Sequence, residues 1–383
     1  MQPTHAKNFT PCEEVLAIAL ELSSKSWKLA LHDGRRDKPA VHTVDDEAAG
    51  ERLTHAVAVI EEVRRQWQVG ATWRVVVLYE AGQDGFWISR ALARLGYETL
   101  IVDPASIPVE RYARRAKTDR LDAIKLVFCL RGWLRGERDR MHVIRVPTPE
   151  TEAQRHLARE RGELQKEIGQ HRDRMRKLLR TVGCWDPDGD DFAKRLAQGE
   201  IQCHGGAALP PELLMRLTQE CERLTLAEQQ LAALDKTLVR QLPKPVQKRI
   251  ADLKQLKGVG EVGAMRLVLE LFWRDFANRR QVGSCVGLVP QPYDSGQSRV
   301  DQGISKQGNR RVRALLIEMA WFWLRYQPDS AIAHWFAQRT LGSGTNKRGK
   351  RIAIVAVARK LAIALWRYLK EGVVPEDATT KAA

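Results

Sequence analysis

The sequence of 383 residues predicts an α/β N-terminal domain, an α-helical coiled-coil stalk and a mainly α-helical C-terminal domain. Before the segment HVIRVPTPET, short apolar runs typical of strands alternate with a helical pattern, which favours a sheet with some parallel pairing. After that segment the apolar residues recur at helical spacing. The predicted boundaries are 1–148 for the first domain, 149–245 for the stalk, 246–372 for the C-terminal domain and 373–383 for a frayed tail.

Local patterns predict each element of the first domain. VLAIALELSSKSWKLAL (15–31) predicts two short strands around a polar turn, and RVVVLYE (74–80) and ETLIVD (98–103) predict two more. FWISRALARL (86–95) predicts a helix between the latter two, and a second helix is expected to begin near Thr118. Prolines in HVIRVPTPET interrupt both helical and strand periodicity, and they therefore mark the end of the domain.

Two leucine-rich seams predict the stalk. Leu157, Ile168 and Leu179 recur every eleven residues, as Leu164 and Met175 do, which corresponds to about 3.67 residues per turn. The helical pattern breaks at 183–191, and a further loop ends at 212. A second seam then recurs every seven residues, as in a coiled coil. Its members are Leu217, Leu224, Leu231 and Leu238. A helical hairpin that dimerises or acts as a spacer is the simplest model.

The charge distribution points to a polyanionic partner. The net charge is +16, and residues 245–383 hold 24 Lys and Arg against 11 Asp and Glu, whereas the first 110 residues carry a small acidic excess. Basic residues that cluster in this way favour nucleic acid. Scattered cysteines without a CxxC motif, and the lack of an apolar run of membrane-spanning length, predict a cytoplasmic protein with reduced thiols and no membrane partner.

Four acidic residues of the first domain are candidates for a metal site. Glu21 lies within an apolar strand, Glu80 ends RVVVLYE, and Asp119 and Asp122 are three residues apart on one face of a helix start. A carboxylate in an apolar strand is costly unless it is paired or bound to a cation. An all-oxygen site suits Mg²⁺, and two such ions can drive phosphodiester cleavage.

Three of these carboxylates also have a structural interpretation, which the sequence leaves open. Glu80 could be a solvated strand end. Asp119 could cap its helix, and Asp122 could pair with Lys125.

The segment LKGVGEVGAMRLVLEL places Lys257, Gly258, Gly260 and Gly263 in a turn before a helix. This matches a helix-hairpin-helix pattern, in which backbone N–H groups at a helix start bind a phosphate without reading bases. The preceding stretch looks helical, which disfavours a dinucleotide-binding unit. A plain helix–helix turn is the alternative.

The stretch 285–324 runs from an apolar segment through a Ser-Gly loop to a basic helix start. Ser295 precedes Gly296, so its hydroxyl is expected on an exposed, mobile turn. A serine hydroxyl is a poor nucleophile without a base or a metal, so a simple turn residue is the alternative, and Ser298 and Ser305 are competing candidates. Phosphate clamps are expected just beyond this loop, at Lys306, Arg310, Arg311 and Arg313.

A basic turn and an amphipathic helix make up residues 344–369. We expect phosphate contacts from Lys347, Arg348, Lys350 and Arg351, with a solvated helix start as the alternative. No P-loop or G-x-S-x-G motif occurs in the sequence, so ATP use and Ser–His–Asp catalysis are not expected.

Together these motifs resemble the DEDD transposases of bacterial insertion sequences, the bridge-RNA-guided recombinase family. The resemblance spans roughly 15–370 and depends on an ordered set of segments, which is more specific than any one of them. The segments are YEAGQDGFWISRALARLGYETLIVDP, ARRAKTDRLDA, LKGVGEVGA and VGLVPQPYDSGQSRVDQGISKQGNRRVRALL.

The resemblance implies an RNase H-like (RuvC-like) first domain and a C-terminal serine domain. It implies that Glu21, Glu80, Asp119 and Asp122 hold Mg²⁺, and that Ser295 attacks a DNA phosphodiester to give a covalent phosphoserine intermediate before strand exchange. It also implies a structured noncoding guide RNA that selects donor and target DNA by base pairing. A homodimer or tetramer, with active sites that combine protomers, is expected.

The sequence departs from the family pattern at its first acid. Family members have Asp in a G-I-D-V-like strand, whereas A-L-E-L-S places Glu21 here. Glutamate is one methylene longer, and Mg²⁺ demands near-octahedral geometry. Two alternatives therefore stand beside the recombinase: a two-metal, structure-specific nuclease without serine chemistry, and an inactive copy that only binds nucleic acid.

Overall fold

The computed structural model describes residues 14–107, 118–185, 189, 191–296, 298–341 and 347–381, with backbone only for 298–301. The chain divides into two compact units, Met1–Val146 and Pro147–Ala383. The division falls within HVIRVPTPET, where the prolines predict a boundary. Among the described residues, no helix is both long and apolar enough to cross a membrane.

A five-stranded mixed sheet forms the centre of the first unit, in the order β3-β2-β1-β4-β5. The strands are β1 (Val15–Leu22), β2 (Trp27–His32), β3 (Ala40–Val44), β4 (Arg74–Glu80) and β5 (Glu98–Val102). β1 pairs in parallel with β4, and β4 with β5, while β1–β2 and β2–β3 are antiparallel. The four predicted strands are confirmed; the edge strand β3 was not predicted.

Helices cover both faces of this sheet. They are α1 (Ala49–Gln66), α2 (Trp87–Arg94) and α3 (Asp119–Leu134). Because successive strand residues face opposite ways, β1 sends Leu16, Ile18 and Leu20 into a core that includes α1 and α2. Ala17 and Ala19 face the core formed with α3. The predicted α2 and α3 are confirmed, and α1 is an addition to the prediction.

The second unit begins with a helical hairpin. Helices α4 (Pro149–Arg180) and α6 (Pro211–Thr237) pack against each other, with the short α5 (Phe192–Ala197) in their connection. Met175 and Leu179 of one seam meet Leu217 of the other in a shared core. Ion pairs cross the hairpin, such as Arg172 with Glu228 at 2.7 Å, and a buried hydrogen bond joins His171 Nδ1 to Glu220 at 2.6 Å. The predicted helical hairpin is confirmed; its coiled-coil character stays a prediction.

The rest of the second unit is a helical bundle with one small hairpin. Its elements are α7 (Lys244–Lys254), α8 (Glu261–Glu270), α9 (Arg279–Cys285), β6 (Pro290–Ser295), β7 (Ser298–Ile304), α10 (Arg310–Tyr326), α11 (Ala331–Leu341) and α12 (Lys347–Glu371). The apolar side of α12, with Val357 and Leu361, packs against Trp323 of α10 and Phe272 in the core.

The structure corrects two predictions here. The Ser-Gly loop predicted within the stretch 285–324 is instead part of the antiparallel hairpin β6–β7, because its Ser-Gly pair makes a turn that lets the flanking residues pair. The predicted frayed tail is instead docked as far as Lys381. Thr380 forms a β-bridge with Leu256 between α7 and α8.

A buried glutamine holds the tail in place. The Gln327 side-chain amide donates to the carbonyl oxygens of Lys257 (3.0 Å) and Thr379 (2.7 Å). Its Oε1 accepts from the N–H (2.8 Å) and the hydroxyl (3.0 Å) of Thr379. The tail is ordered because it supplies partners that this buried amide would otherwise lack.

Replacing Gln327 by Ala is expected to destabilise the second unit by about 1–3 kcal/mol, because the carbonyl oxygens of Lys257 and Thr379 lose their donor and the Thr379 N–H loses its acceptor. Thermal unfolding measures this loss, and hydrogen exchange should show faster exchange of the Thr379 N–H. The matched control is Gln338→Ala on the exposed side of α11. Equal exchange at Thr379 in the two variants would contradict this account.

Candidate active site and nucleic-acid interface

Two carboxylates lie at neighbouring ends of parallel strands. Leu20 of β1 is opposite Tyr79 of β4, so Glu21 and Glu80 follow at the same level. Alternation places both on the sheet face that α3 covers, the face of Ala17 and Leu78. Both carboxylates are half-buried.

The first turn of α3 carries the other two acids. Thr118 caps the helix, with its Oγ1 accepting from the Leu121 N–H at 3.3 Å, so a capping role for Asp119 is wrong. Asp119 is exposed and Asp122 is half-buried. The Asp122–Lys125 pair is confirmed, at 3.3 Å.

Two contacts fix the direction of α3. The rings of Phe128 and His32 lie 5.5 Å apart, and His32 is opposite Ala17 in β1. One helical turn later, Arg131 lies against Gly34, two residues past His32 and so nearer the level of the start of β1. The helix therefore runs antiparallel to β1, and its first turn lies toward the end of the strand that carries Glu21.

These placements fit a Mg²⁺ site in two respects. The donors are carboxylates, and they lie toward the same face and the same edge of the sheet. Carboxylate oxygens are the ligands that this hard cation prefers. Side-chain spacing does not complete the match, since no group of three or more His, Cys, Asp or Glu in the described parts of the chain is arranged to hold a metal. The ARRAK part of the predicted motif lies outside the described residues.

Ser295 lies at the tip of the β6–β7 hairpin. It ends β6 and pairs with Ser298 across the turn that Gly296 begins with φ of +57°. The side chain of Ser295 is exposed. Ser305 lies at the other end of the hairpin, where its N–H donates to the Val289 carbonyl at 2.9 Å.

Close backbone contacts fix the base of this hairpin. A Cβ on Gly287 would lie 2.0 Å from the Gln307 carbonyl oxygen, and one on Gly308 would lie 2.2 Å from that of Cys285. Both glycines have positive φ, of +65° and +77°. Arg313 braces the same region by donating to the Val286 and Gln307 carbonyl oxygens at 3.1 and 3.2 Å.

The predicted phosphate clamps near this hairpin separate into different roles. Arg313 makes the structural contacts just described. Arg311 is exposed and pairs with Glu163 of α4 at 3.5 Å. Arg310 and Lys306 are exposed as well.

The glycine turn between α7 and α8 is confirmed as a turn. Gly260 is the N-cap of α8, and Gly263 packs against Met319. Glu261, in the first turn of α8, forms an ion pair with Lys254, so a carboxylate already occupies the positive end of this helix. Lys257 is exposed, and Gly258 lies against α10. Phosphate binding at this turn stays a prediction.

A large groove in the second unit collects cations from several segments. We call it the α9–α12 groove; its cavity volume is about 1160 Å³. Predicted phosphate contacts Lys306, Arg348 and Arg351 line it, whereas Lys347 and Lys350 are exposed at the start of α12 beside it. Sequence reasoning missed the other cations of the lining: Arg279, Arg280, Arg359, Lys360 and Arg367.

A signal for part of this set is present in the sequence. Positions 348, 351, 355, 359, 363 and 367 recur at helical spacing and therefore share one face of α12. That face carries alternating cations and aliphatic residues. The α9 cations have no such pattern and become visible only in the fold.

Comparisons with known proteins agree with the transposase resemblance of the sequence motifs. A family model described as "Transposase IS116/IS110/IS902 family" matches residues 251–334, which include the serine hairpin. The chain is 39% identical over 379 residues to a putative transposase, y4rJ, of Sinorhizobium fredii, covering 95% of this chain and 94% of the relative. It is 25% identical to the transposase for insertion sequence element IS1328 of Yersinia enterocolitica, covering 78% and 85% of the two chains.

The mixed α/β unit, the basic helical unit and these similarities define a DNA transposase. The chain belongs to the IS110/IS116 family of transposases, enzymes of DNA transposition and recombination.

The hairpin base gives a direct test of how Ser295 is positioned. Gly303→Ala, a site with φ of +83° and open space, should cost about 1–2 kcal/mol from backbone strain alone. Gly308→Ala should cost roughly 1–3 kcal/mol more, because its Cβ meets the Cys285 backbone. Urea unfolding of both variants measures the difference. Equal midpoints would show that the base yields easily and does not position the hairpin.

Proposed function

We propose that this transposase cuts and rejoins the DNA strands of its insertion sequence through a covalent phosphoserine intermediate at Ser295. The observation that carries the proposal is the position of Ser295. It is exposed at the tip of a hairpin whose base is fixed by backbone contact, within the segment that the family model matches. A nucleophile on a protruding, anchored element can reach a phosphodiester that a flat surface could not.

The proposed reaction conserves the phosphodiester bond energy. Ser295 Oγ forms a bond to phosphorus, the bond from phosphorus to a deoxyribose oxygen breaks, the serine proton leaves to a base or to solvent, and the departing oxygen is protonated. Attack by a hydroxyl of another strand then reverses these steps and releases the serine. No nucleotide cofactor is required, since each step exchanges one phosphoester for another.

We further propose that Mg²⁺, held by Glu21, Glu80, Asp119 and Asp122, assists this exchange. A bound Mg²⁺ would polarise the phosphoryl oxygens and stabilise the charge that develops on them. The protein's part is to present four carboxylates from two parallel strand ends and one helix start. The sheet order and these acid positions support an RNase H-like, RuvC-like fold for the first unit.

The remaining partners are DNA, a structured noncoding RNA and further copies of the chain. We propose that the RNA selects target and donor DNA by base pairing, so that the protein reads backbone and shape. The basic excess of residues 245–383 and the α9–α12 groove support contacts to phosphates. The α4–α6 hairpin is proposed as a coiled-coil stalk that joins protomers in a dimer or tetramer.

Ser295→Ala should abolish covalent attachment of DNA to the protein. Wild-type protein, Mg²⁺, RNA transcribed from the element's flank and labelled DNA are run on a denaturing gel. The wild type and Ser298→Ala should give a DNA-linked protein band, and Ser295→Ala should give none. Free nicked DNA without an adduct from the wild type would instead favour the two-metal nuclease. Neither product, with RNA and DNA still bound, would favour an inactive copy.

The amide variants Glu80→Gln and Asp122→Asn should each lower adduct formation by at least about 100-fold, because each removes a charge from the proposed Mg²⁺ site. DNA binding in EDTA should be unchanged. Glu98→Gln, at the opposite end of the sheet, is the matched control. Adduct yields equal to the control would refute a metal role for these acids.

A further inference from the structure

We propose that the α9–α12 groove binds single-stranded DNA, with phosphates on its Lys and Arg side chains, which we call the rim, and bases against its aliphatic side chains, which we call the floor. This deepens the proposed function and rests on it for one premise, that strand exchange exposes a freed DNA strand. The groove residues all lie in the described part of the second unit.

The rim has the charge of a site for a polyanion. Glu376 is the single carboxylate among the described residues of the lining, against the eight Lys and Arg named above. In the part of the chain that the structure describes, some of these cations form no ion pair and no side-chain hydrogen bond: Arg279, Arg280, Lys306, Arg351 and Arg359. Unpaired cations held together in one concavity repel one another, and bound phosphates would relieve this repulsion.

The floor is aliphatic and open to solvent. Ile352 is 61% exposed, Val373 48% and Val374 41%. A duplex turns its bases inward and presents phosphates, so it would cover the rim and leave this floor wet. A single strand can turn unstacked bases onto apolar side chains and guanidinium planes.

The size of the groove fits a strand better than a small ligand. Its volume of about 1160 Å³ exceeds the roughly 300–1,000 Å³ of a pocket for a drug-sized molecule. Helix α9, residues 302–306, the polar side of α12 and the tail segment 373–376 line it. A strand can therefore lie along the groove and contact cations from the first three of these segments.

The lining favours DNA over RNA. A ribose 2′-hydroxyl can accept from Arg or Lys, but it also donates a proton, so a groove that recognises RNA would offer side-chain acceptors beside the sugar. Gln302 and Glu376 are the side chains among the described lining that could accept from it, whereas aliphatic groups and cations make up the rest. Deoxyribose has no 2′-hydroxyl, so it loses fewer hydrogen bonds to water than ribose does on contact with such a surface.

The test is equilibrium binding by full-length protein in EDTA, which stops the chemistry. Three labelled probes of one sequence are used: a DNA single strand, the same strand annealed to its complement, and the RNA strand. Fluorescence anisotropy is measured across a range of salt concentrations. The variants are Ile352→Thr for the floor and Arg351→Ala with Arg359→Ala for the rim, and Arg216→Ala on the exposed side of α6 is the matched control.

The DNA single strand should bind more tightly than the RNA. Ile352→Thr should weaken single-stranded DNA binding at least about fourfold, the factor for one buried methylene, because it removes a methylene and replaces a methyl group by a hydroxyl; duplex binding should be unchanged. Each rim substitution should reduce the slope of log K against log salt by about 0.7. Ile352 is exposed, so the unfolding midpoint of its variant should equal that of the wild type.

Three results would overturn the proposal. Groove variants that bind DNA as Arg216→Ala does would show that the groove is not the site. Tighter binding of RNA, with the same sensitivity to Ile352→Thr, would assign the groove to RNA. A lower sedimentation mass of Ile352→Thr without nucleic acid would make the groove an interface between copies. The adduct assay at Ser295 is independent of these measurements, so the two proposals fail separately.

Discussion

The burial of β1 on both faces is the constraint on which the first unit depends. A strand with no solvated face must send alternate residues into two different cores, here one with α1 and α2 and one with α3. This alternation decides which side of the sheet receives Glu21. The register places Glu21 on the α3 side of the sheet, at the edge where Glu80 and the start of α3 also lie.

Helix α12 has a similar double role in the second unit. One side of it carries Val357, Leu361 and Leu365 into the core of the bundle. Its other side, with Arg351, Ile352 and Arg359, lines the α9–α12 groove. The α12 wall of the groove is therefore anchored to the core beneath it. The tail segment that closes one side depends on the Gln327 hydrogen bonds far from the cations themselves.

Sequence patterns predicted the elements whose signals are local. β1 and β4 are apolar runs, and Thr118 and Thr148 cap α3 and α4 with their hydroxyls. Helix α1 was missed because its N-cap residue, Ala48, has no side chain that could cap the helix. Strand β3 was missed because an edge strand needs little alternation of apolar and polar residues.

Long-range features of the site could not be predicted for a different reason. The rim cations come from segments up to 88 residues apart, between Arg279 and Arg367, and no periodicity links α9 to α12. The hydrogen bonds between Gln327 and Thr379, which hold the C-terminal tail, leave no sequence pattern in either segment. The chemistry of Ser295 was inferred from a family resemblance, and the fold adds its position at an anchored hairpin tip.

The two glycines at the base of the β6–β7 hairpin make it a separable module. The hairpin strand β6 is exposed along its whole length, so the bundle core does not depend on its side chains. Its anchoring is concentrated where Gly287 and Gly308 meet backbone. A hairpin from a related transposase with glycine at both positions should therefore be exchangeable as a unit. The exchange would change how far the serine extends from the bundle and which residues flank it, and it would leave the bundle unchanged.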